Sequence, residues 1–296
     1  MGAPTAGAPL ADPRPRQGKR DFRRAFRASI KPMKIAACQM VSGPDLAANL
    51  VAASRLLESA AAQGAQLAAL PEYFCLMGHQ DSDKLACAEE LGHGPIQAML
   101  SRAARELRLW IIGGTLPIKA EQPDRVRNTT LVFSPTGDCV ARYDKIHLFA
   151  YDNGRESYDE ARVLEAGSQP TAFDAGGVRT GLSVCYDLRF PELFRSYNPC
   201  DLLAVPAAFT YTTGEKHWEL LLRARAVENQ CYVIAPAQGG KHENGRRTWG
   251  HSMIVDPWGE VLAVVPEGEG IALAELDAAR LAQVRQQLPA LGHRRL

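Results

Sequence analysis

The chain has 296 residues, 46% hydrophobic and 23% charged, with a formal net charge of +1. That is ordinary globular composition, long enough for a large α/β domain, and the near-neutral balance leaves no electrostatic footprint for nucleic acid or an acidic surface. No apolar run reaches the ~18 residues of a membrane span, and the seven scattered cysteines, with no CxxC, argue against a disulfide framework or a zinc site, so a reducing cytoplasmic setting is expected.

Residues 1–32 are rich in Ala, Pro and Arg and lack the apolar segment of a secretory signal. They are expected to be a disordered extension ahead of a natural start at Met33, with an organellar transit peptide as the second reading. From Met33 onward, strand-like and helix-like segments alternate. "MKIAACQM" reads as a strand, "LAANLVAASRLLESAAAQ" as a helix ending near Gly64, and "LAALP" as a short buried strand. "IQAMLSRAARELR" is a helix and "LWIIGG" a strand. "TTLVFSPTGDCVARYDKIHLF" reads as a hairpin around Ser134–Gly137, and "TAFDAGGVRTGLSVC" as another around Gly176 and Gly177. "PELFRSYN" is a short helix opened by Pro, "DLLAVPAAF" a buried strand, "HWELLLRARAVENQ" a helix and "CYVIAPAQ" a strand. "GHSMIVDPWGEVLAVV" is a third hairpin and "AARLAQVRQQL" a last helix. Short apolar strands mixed with helices imply α/β sheets of mixed direction, covered by helices. Residues 33–296 show no internal linker and are expected to form one domain.

Three apolar strands end on reactive side chains. "LAALPEYF" delivers Glu72, "ARYDKIHLF" delivers Lys145 and "GLSVCYDLRF" delivers Cys185. A thiol attacks only as thiolate, and free Cys has a pKa of about 8.5, so it needs a base or a nearby cation. A partly buried Glu72 suits the base. Lys145 suits stabilisation of the charge developing on a carbonyl oxygen or nitrile nitrogen, with the backbone N–H of Tyr186 as a second donor.

In these motifs the chain resembles the carbon–nitrogen hydrolase (nitrilase) superfamily. "LPEYF", "RYDKIHLF" and "GLSVCYDLRFPELFR" are similar to its glutamate, lysine and cysteine motifs, in its order. The resemblance implies a four-layer αββα sandwich that dimerises by pairing sheets, and it implies no metal and no organic cofactor. It assigns Cys185 as nucleophile, Glu72 as general base and acid, and Lys145 as stabiliser of the tetrahedral intermediate. It also implies a second glutamate in "YDEARVLEAG", which nominates Glu160, with Glu156 as the alternative. Members of the family usually continue past "HRR" into a short tail, whereas this sequence stops at Leu296, which weakens the dimer expectation if that tail helps dimer packing.

The segment "KHWELLLRARAVENQCYVIAPAQGGKHENGRRTWGHSMIVDPWGEVLA" resembles the branch of amidases that act on deaminated glutathione. The neighbouring branch is omega-amidase, acting on alpha-ketoglutaramate and alpha-ketosuccinamate; nitrilase and N-carbamoyl hydrolase activities are further alternatives within the superfamily. Both leading branches imply a small carboxylate-bearing amide. Arg189, four residues past the thiol, is a candidate fork for that carboxylate; a salt bridge with Asp187 or Glu192 is the competing reading. Tyr186, Phe209 and Thr210 are the other expected substrate contacts. The basic loop from Lys241 to Arg247 is expected to be flexible and to meet a second, distal carboxylate or to stay a solvated turn. His79, His93 and His217 lack metal-ligand spacing; His217 and Trp218 are expected to shape the pocket or start a helix. Trp249 and Trp258 are expected to pack.

Overall fold

A computed structural model describes residues 32–154 and 156–295, so the N-terminal extension lies outside the described residues except for Pro32. The first strand, β1 (Met33–Gln39), shows how the layers arise. Alternate side chains of a strand point to opposite faces. Met33, Ile35 and Ala37 enter one apolar core, while Ala36 and Cys38 enter another.

The chain continues through α1 (Leu46–Ala62), β2 (Leu67–Ala69), α2 (Asp83–Ala86), α3 (Pro95–Leu107), β3 (Trp110–Ile112), β4 (Leu116–Lys119), β5 (Val126–Phe133) and β6 (Cys139–Asp144). Next come β7 (Ala150–Asp152), β8 (Ser157–Asp159), β9 (Ala172–Ala175), β10 (Val178–Leu182), α4 (Pro191–Ser196), β11 (Leu202–Ala204) and α5 (Tyr211–Asn229). The last elements are β12 (Tyr232–Ala235), β13 (Gly239–Lys241), β14 (Arg247–Trp249), β15 (Ser252–Val255), β16 (Val261–Val265), β17 (Gly270–Leu276) and α6 (Ala278–Gln287).

One sheet runs β17-β1-β2-β3-β5-β4, with β6 also on β5; the other runs β16-β15-β12-β11-β10-β9. Each has a parallel centre, β1-β2-β3 in the first and β10-β11-β12 in the second, with antiparallel flanks. Ile35, Leu67 and Ile112 of the first sheet share a core with Leu182, Leu202 and Val233 of the second. The opposite face of the first sheet packs on α1 and α3 through Leu57, Ile96 and Leu100. The second sheet is covered by α5, where Trp218, Leu222 and Ala226 are buried. This is the αββα sandwich.

Several local expectations change. Helix α5 begins at Tyr211, six residues before His217, because Thr210 caps it by accepting from the Thr213 N–H at 3.4 Å. Trp218 is therefore a fully buried helix-interior residue; its indole N–H is satisfied by the His251 carbonyl at 2.9 Å. Trp258 is 50% exposed at the β15–β16 turn and is not a core residue. The Lys241–Arg247 segment is not a loose loop. It turns the β13–β14 hairpin, with Gly239 opposite Trp249, and His242 at its tip is buried. Three-residue strands are too short for alternation to show in sequence. Strand β17, which adds antiparallel to β1, went unrecognised for a different reason: its pattern is only partly buried.

Candidate active site

Parallel strands of both sheets aim their carboxyl ends at one place, where open α/β sheets generally build sites. Glu72 follows β2, Cys185 follows β10, and Ala208 follows β11. Lys145 directly follows β6, which two antiparallel pairings (β3 with β5, β5 with β6) return to the direction of β2 and β3. The turns that present Glu72 and Cys185 use left-handed backbone on non-glycine residues: φ is 49° at Cys185 and 55° at Tyr73. Such positions cost of order 1–3 kcal/mol each and concentrate at functional sites. At Cys185 the surroundings enforce it. Its N–H donates to the Pro206 carbonyl at 2.9 Å, and Ser183 is tied twice to the Ala204 carbonyl. Gly181 leaves room beneath the turn, since a Cβ there would lie 2.6 Å from the Tyr197 ring.

The ammonium of Lys145 lies between two carboxylates. It donates to Glu72 Oε1 at 2.9 Å and to Glu160 Oε2 at 2.8 Å and Oε1 at 3.0 Å. Every oxygen of Glu72 is engaged: Oε1 also accepts from Asn128 Nδ2 at 2.9 Å, and Oε2 from the Ala208 N–H at 2.9 Å. Glu160 also accepts from the Tyr73 hydroxyl and the Phe149 N–H, both at 2.7 Å. Glu160 reaches the lysine, whereas Glu156 meets Thr212 at 3.3 Å away from it.

Burial sets the proton balance. It works against the Lys145 ammonium, but the Glu160 and Glu72 carboxylates outweigh it and hold the lysine charged well above its usual range. Burial pushes Glu72 up, with Lys145 countering only part of it. Burial and the Glu72 charge push the Cys185 thiol well up, again partly offset by Lys145. The thiol therefore rests protonated beside a carboxylate of raised proton affinity. That arrangement can move a proton from sulfur to Glu72 as a bond to sulfur forms.

Glu72, Glu160, Cys185, Tyr186, Arg189, Phe209 and Thr210 line one cavity, whose empty space with the open mouth counted in is about 710 Å³. Arg189 forms no salt bridge with Asp187 or Glu192. Asp187 is fully buried and engaged with Tyr143, His147 and Val184. The guanidinium instead lies over the rings of Phe209 at 5.5 Å and Tyr186 at 5.7 Å, and donates to His217 Nδ1 at 3.2 Å. Thr210 serves both as pocket wall and as helix cap.

Sequence reasoning did not single out Asn128 or Tyr73 as site residues, and it met Asp187 only as a partner for Arg189. An asparagine inside the apolar strand "VRNTTLVF" was a usable signal, because a buried amide needs partners. Tyr73 carried no such mark; its role depends on the turn after Glu72.

The sequence matches the family described as carbon-nitrogen hydrolase over residues 34–286. It is 43% identical over 271 residues to a deaminated glutathione amidase of Synechocystis sp., covering 90% of this chain and 99% of that protein. It is 39% identical over 250 residues to omega-amidase NIT2 of Homo sapiens, covering 83% and 89%. The fold superposes on that of Saccharomyces cerevisiae Nit3, a nitrilase superfamily member, with a TM-score of 0.81 at 30% identity, covering 90% of this chain and 97% of that one.

Proposed function

Because this chain belongs to the carbon–nitrogen hydrolase family, as a cysteine-dependent amidase, we propose that Cys185, Glu72 and Lys145 carry its chemistry and that Glu160 anchors the lysine. Cys185 Sγ attacks the amide carbon while Glu72 takes the thiol proton. Lys145 Nζ and the Tyr186 N–H, in the first turn of the 3₁₀ helix Cys185–Arg189, hold the oxyanion. The intermediate collapses, Glu72 passes its proton to the leaving nitrogen, and a thioester remains on Cys185. Water, deprotonated by Glu72, attacks the thioester; the carboxylic acid leaves and the thiol recovers its proton. Glu160 and Tyr73 fix the ammonium where the oxyanion needs it.

The substrate is an omega-amide bearing a carboxylate, with deaminated glutathione first and alpha-ketoglutaramate second. One observation carries this reading. Among the described cations that line the pocket, Lys84 and Arg246 pair with Asp81 and Arg247 with Glu267, while Lys145 behind the wall pairs with Glu72 and Glu160. Arg189 alone among those cations has no carboxylate. A guanidinium cradled by two rings and lacking a counter-ion is built for an incoming anion. The experiment measures release of the carboxylic acid from deaminated glutathione, alpha-ketoglutaramate, a neutral amide and a simple nitrile. Turnover of the charged amides, lost in Cys185→Ala and selectively weakened in Arg189→Ala, is expected. Equal damage to charged and neutral amides in Arg189→Ala sinks the carboxylate role.

We read residues 33–296 as one catalytic unit acting as a homodimer in the cytoplasm. The shared core of the two sheets supports the first point. Exposed Leu220 and Val227 on α5, beside the exposed Trp258 turn, support a self-association face, to be checked by sedimentation. Seven free thiols support a reducing compartment.

A further inference from the structure

One wall of the cavity is a row of aromatic rings with a guanidinium at each end. Arg189 lies over Tyr186 at 5.7 Å, and Tyr186 meets Phe149 edge-on at 5.2 Å. Phe149 meets Tyr158 at 5.6 Å, and Arg246 lies over Tyr158 at 5.5 Å. All five side chains line the pocket. Resting on the amidase reading above, we propose that this wall selects an amide with a carboxylate on each side of the scissile bond. Arg189 holds the acyl-side carboxylate and Arg246 the leaving-group carboxylate.

The chain's own layout assigns the ends. Arg189 shares a 3₁₀ turn with Cys185, so its anion remains in place while the acyl group is bound to sulfur. Arg246 stands at the opposite end of the row from that turn, its side chain 33% exposed and its partner Asp81 41% exposed, so it is the guanidinium left for the leaving side. Asp81 is shared between Arg246 at 3.2 Å and Lys84 at 3.0 Å. Asp81 engages only Nη2 of Arg246, so the guanidinium keeps donors that a second substrate carboxylate would take. Arg247 does not compete for this role, because it turns to Glu267 and lies 3.9 Å over the Tyr211 ring.

The hairpin that presents Arg246 is held in place before any ligand arrives. His242 is fixed by the Ser42 carbonyl at 2.8 Å and by Thr248 Oγ1 at 2.7 Å. Asn244 donates to the Gly78 carbonyl at 2.7 Å and accepts from the Arg246 N–H at 2.9 Å. A second anion site on a rigid support discriminates by length, since a shorter substrate cannot reach it.

The test compares deaminated glutathione, which carries a carboxylate on both sides, with alpha-ketoglutaramate, which carries one on the acyl side. Both give the same acyl group on Cys185, so deacylation is common and any difference lies in binding and acylation. The quantity read is the ratio of kcat/KM for the long substrate to that for the short. Arg246→Ala is expected to lower this ratio by about ten- to one-hundred-fold, the loss of one charge-assisted contact. Arg189→Ala is expected to lower both values and leave the ratio within about threefold, since the acyl ends are identical. Residual turnover of the short amide shows that each variant has folded. An unchanged ratio in Arg246→Ala, or a wild type that favours the short amide, overturns this inference alone. Turnover of neither amide by the wild type overturns the substrate reading and this inference with it.

Discussion

The buried carboxylate of Asp187 grips His147 twice, accepting from its backbone N–H at 3.0 Å and its ring Nδ1 at 2.7 Å. Its second oxygen accepts from the Val184 N–H at 2.8 Å and the Tyr143 hydroxyl at 2.7 Å. Val184 directly precedes the thiol, and His147 lies two residues past the lysine. One carboxylate therefore sets the distance between the strand ends that carry Cys185 and Lys145. The His147 ring stacks on Phe190 at 3.7 Å, which fixes the clamp from outside.

Asp187→Asn is expected to loosen this tie, because an amide nitrogen cannot accept the Val184 or His147 N–H. Misplacing a catalytic group by about 1 Å costs of order one-hundred-fold in rate. A fall in kcat of that order with a smaller change in KM is expected in steady-state assays. A retained kcat would mean that the two strand ends hold their spacing without Asp187.

Lys145→Met removes the only ammonium between two carboxylates, in a site where the lysine side chain is 0% exposed. Breaking a buried ion pair costs about 3–5 kcal/mol, so a clear loss in denaturant unfolding is expected along with loss of activity. The double variant Lys145→Met/Glu160→Gln should recover part of the stability and none of the turnover, since the oxyanion donor is still missing.

Glu72→Gln separates the proposed base from the proposed nucleophile. Burial keeps Cys185 protonated well above the usual thiol range. Its alkylation by iodoacetamide at pH 7, followed on the Cys185 peptide, should therefore slow in Glu72→Gln, the loss of the base outweighing the relief of the Glu72 charge that helps keep the thiol protonated. Loss of a general base typically costs 10²–10⁴-fold. Equal alkylation in wild type and variant would assign the proton transfer elsewhere.

His242 gives a pH dependence of stability. Burial holds its pKa below the ordinary value, and Arg246 pushes the same way, against the Ser42 carbonyl. The unfolded imidazole titrates near 6.5. Above that pH both states are neutral and the stabilisation is present in full. As pH falls below about 6.5 the unfolded state binds the proton first, so stability drops toward the folded pKa. Thermal melts from pH 7.5 to 5.5 should show this slope in the wild type and a flatter one in His242→Gln.

Gly214→Ala tests the contact between α5 and the pocket hairpin. A Cβ at Gly214 would lie 2.3 Å from Cβ of Trp249. Alanine gains about 1 kcal/mol of helix propensity, but overpacking costs about 1–3 kcal/mol. Net destabilisation is expected, with weaker substrate binding because Thr248 beside Trp249 lines the cavity.

The strand ends bearing Glu72, Lys145 and Cys185 were legible as a set, because a carboxylate and an ammonium close two apolar runs and give the thiol closing a third, which alone reads as core like Cys38, a base and a cation. The long helices α1 and α3 were legible from their periodicity. Asp187 was not, since its four hydrogen bonds come from three residues, in β6, in the segment after it and in its own turn, most of them far off in sequence. Strand β17 and the β13–β14 hairpin were hidden for want of length or contrast.

Residue chemistry and order along the chain determined the thiol, carboxylate and ammonium at three strand ends and the alternation of strands and helices, because those depend on side-chain type and on local period. Only the tertiary structure decided that Glu160 and not Glu156 meets the lysine, that Arg189 stands over two rings without a carboxylate, and that Arg246 closes the far end of the same aromatic wall. Those facts depend on which distant segments share a few ångströms of low-dielectric space. Burial and proximity there, more than residue type, set which charges pair and which remain available to a ligand.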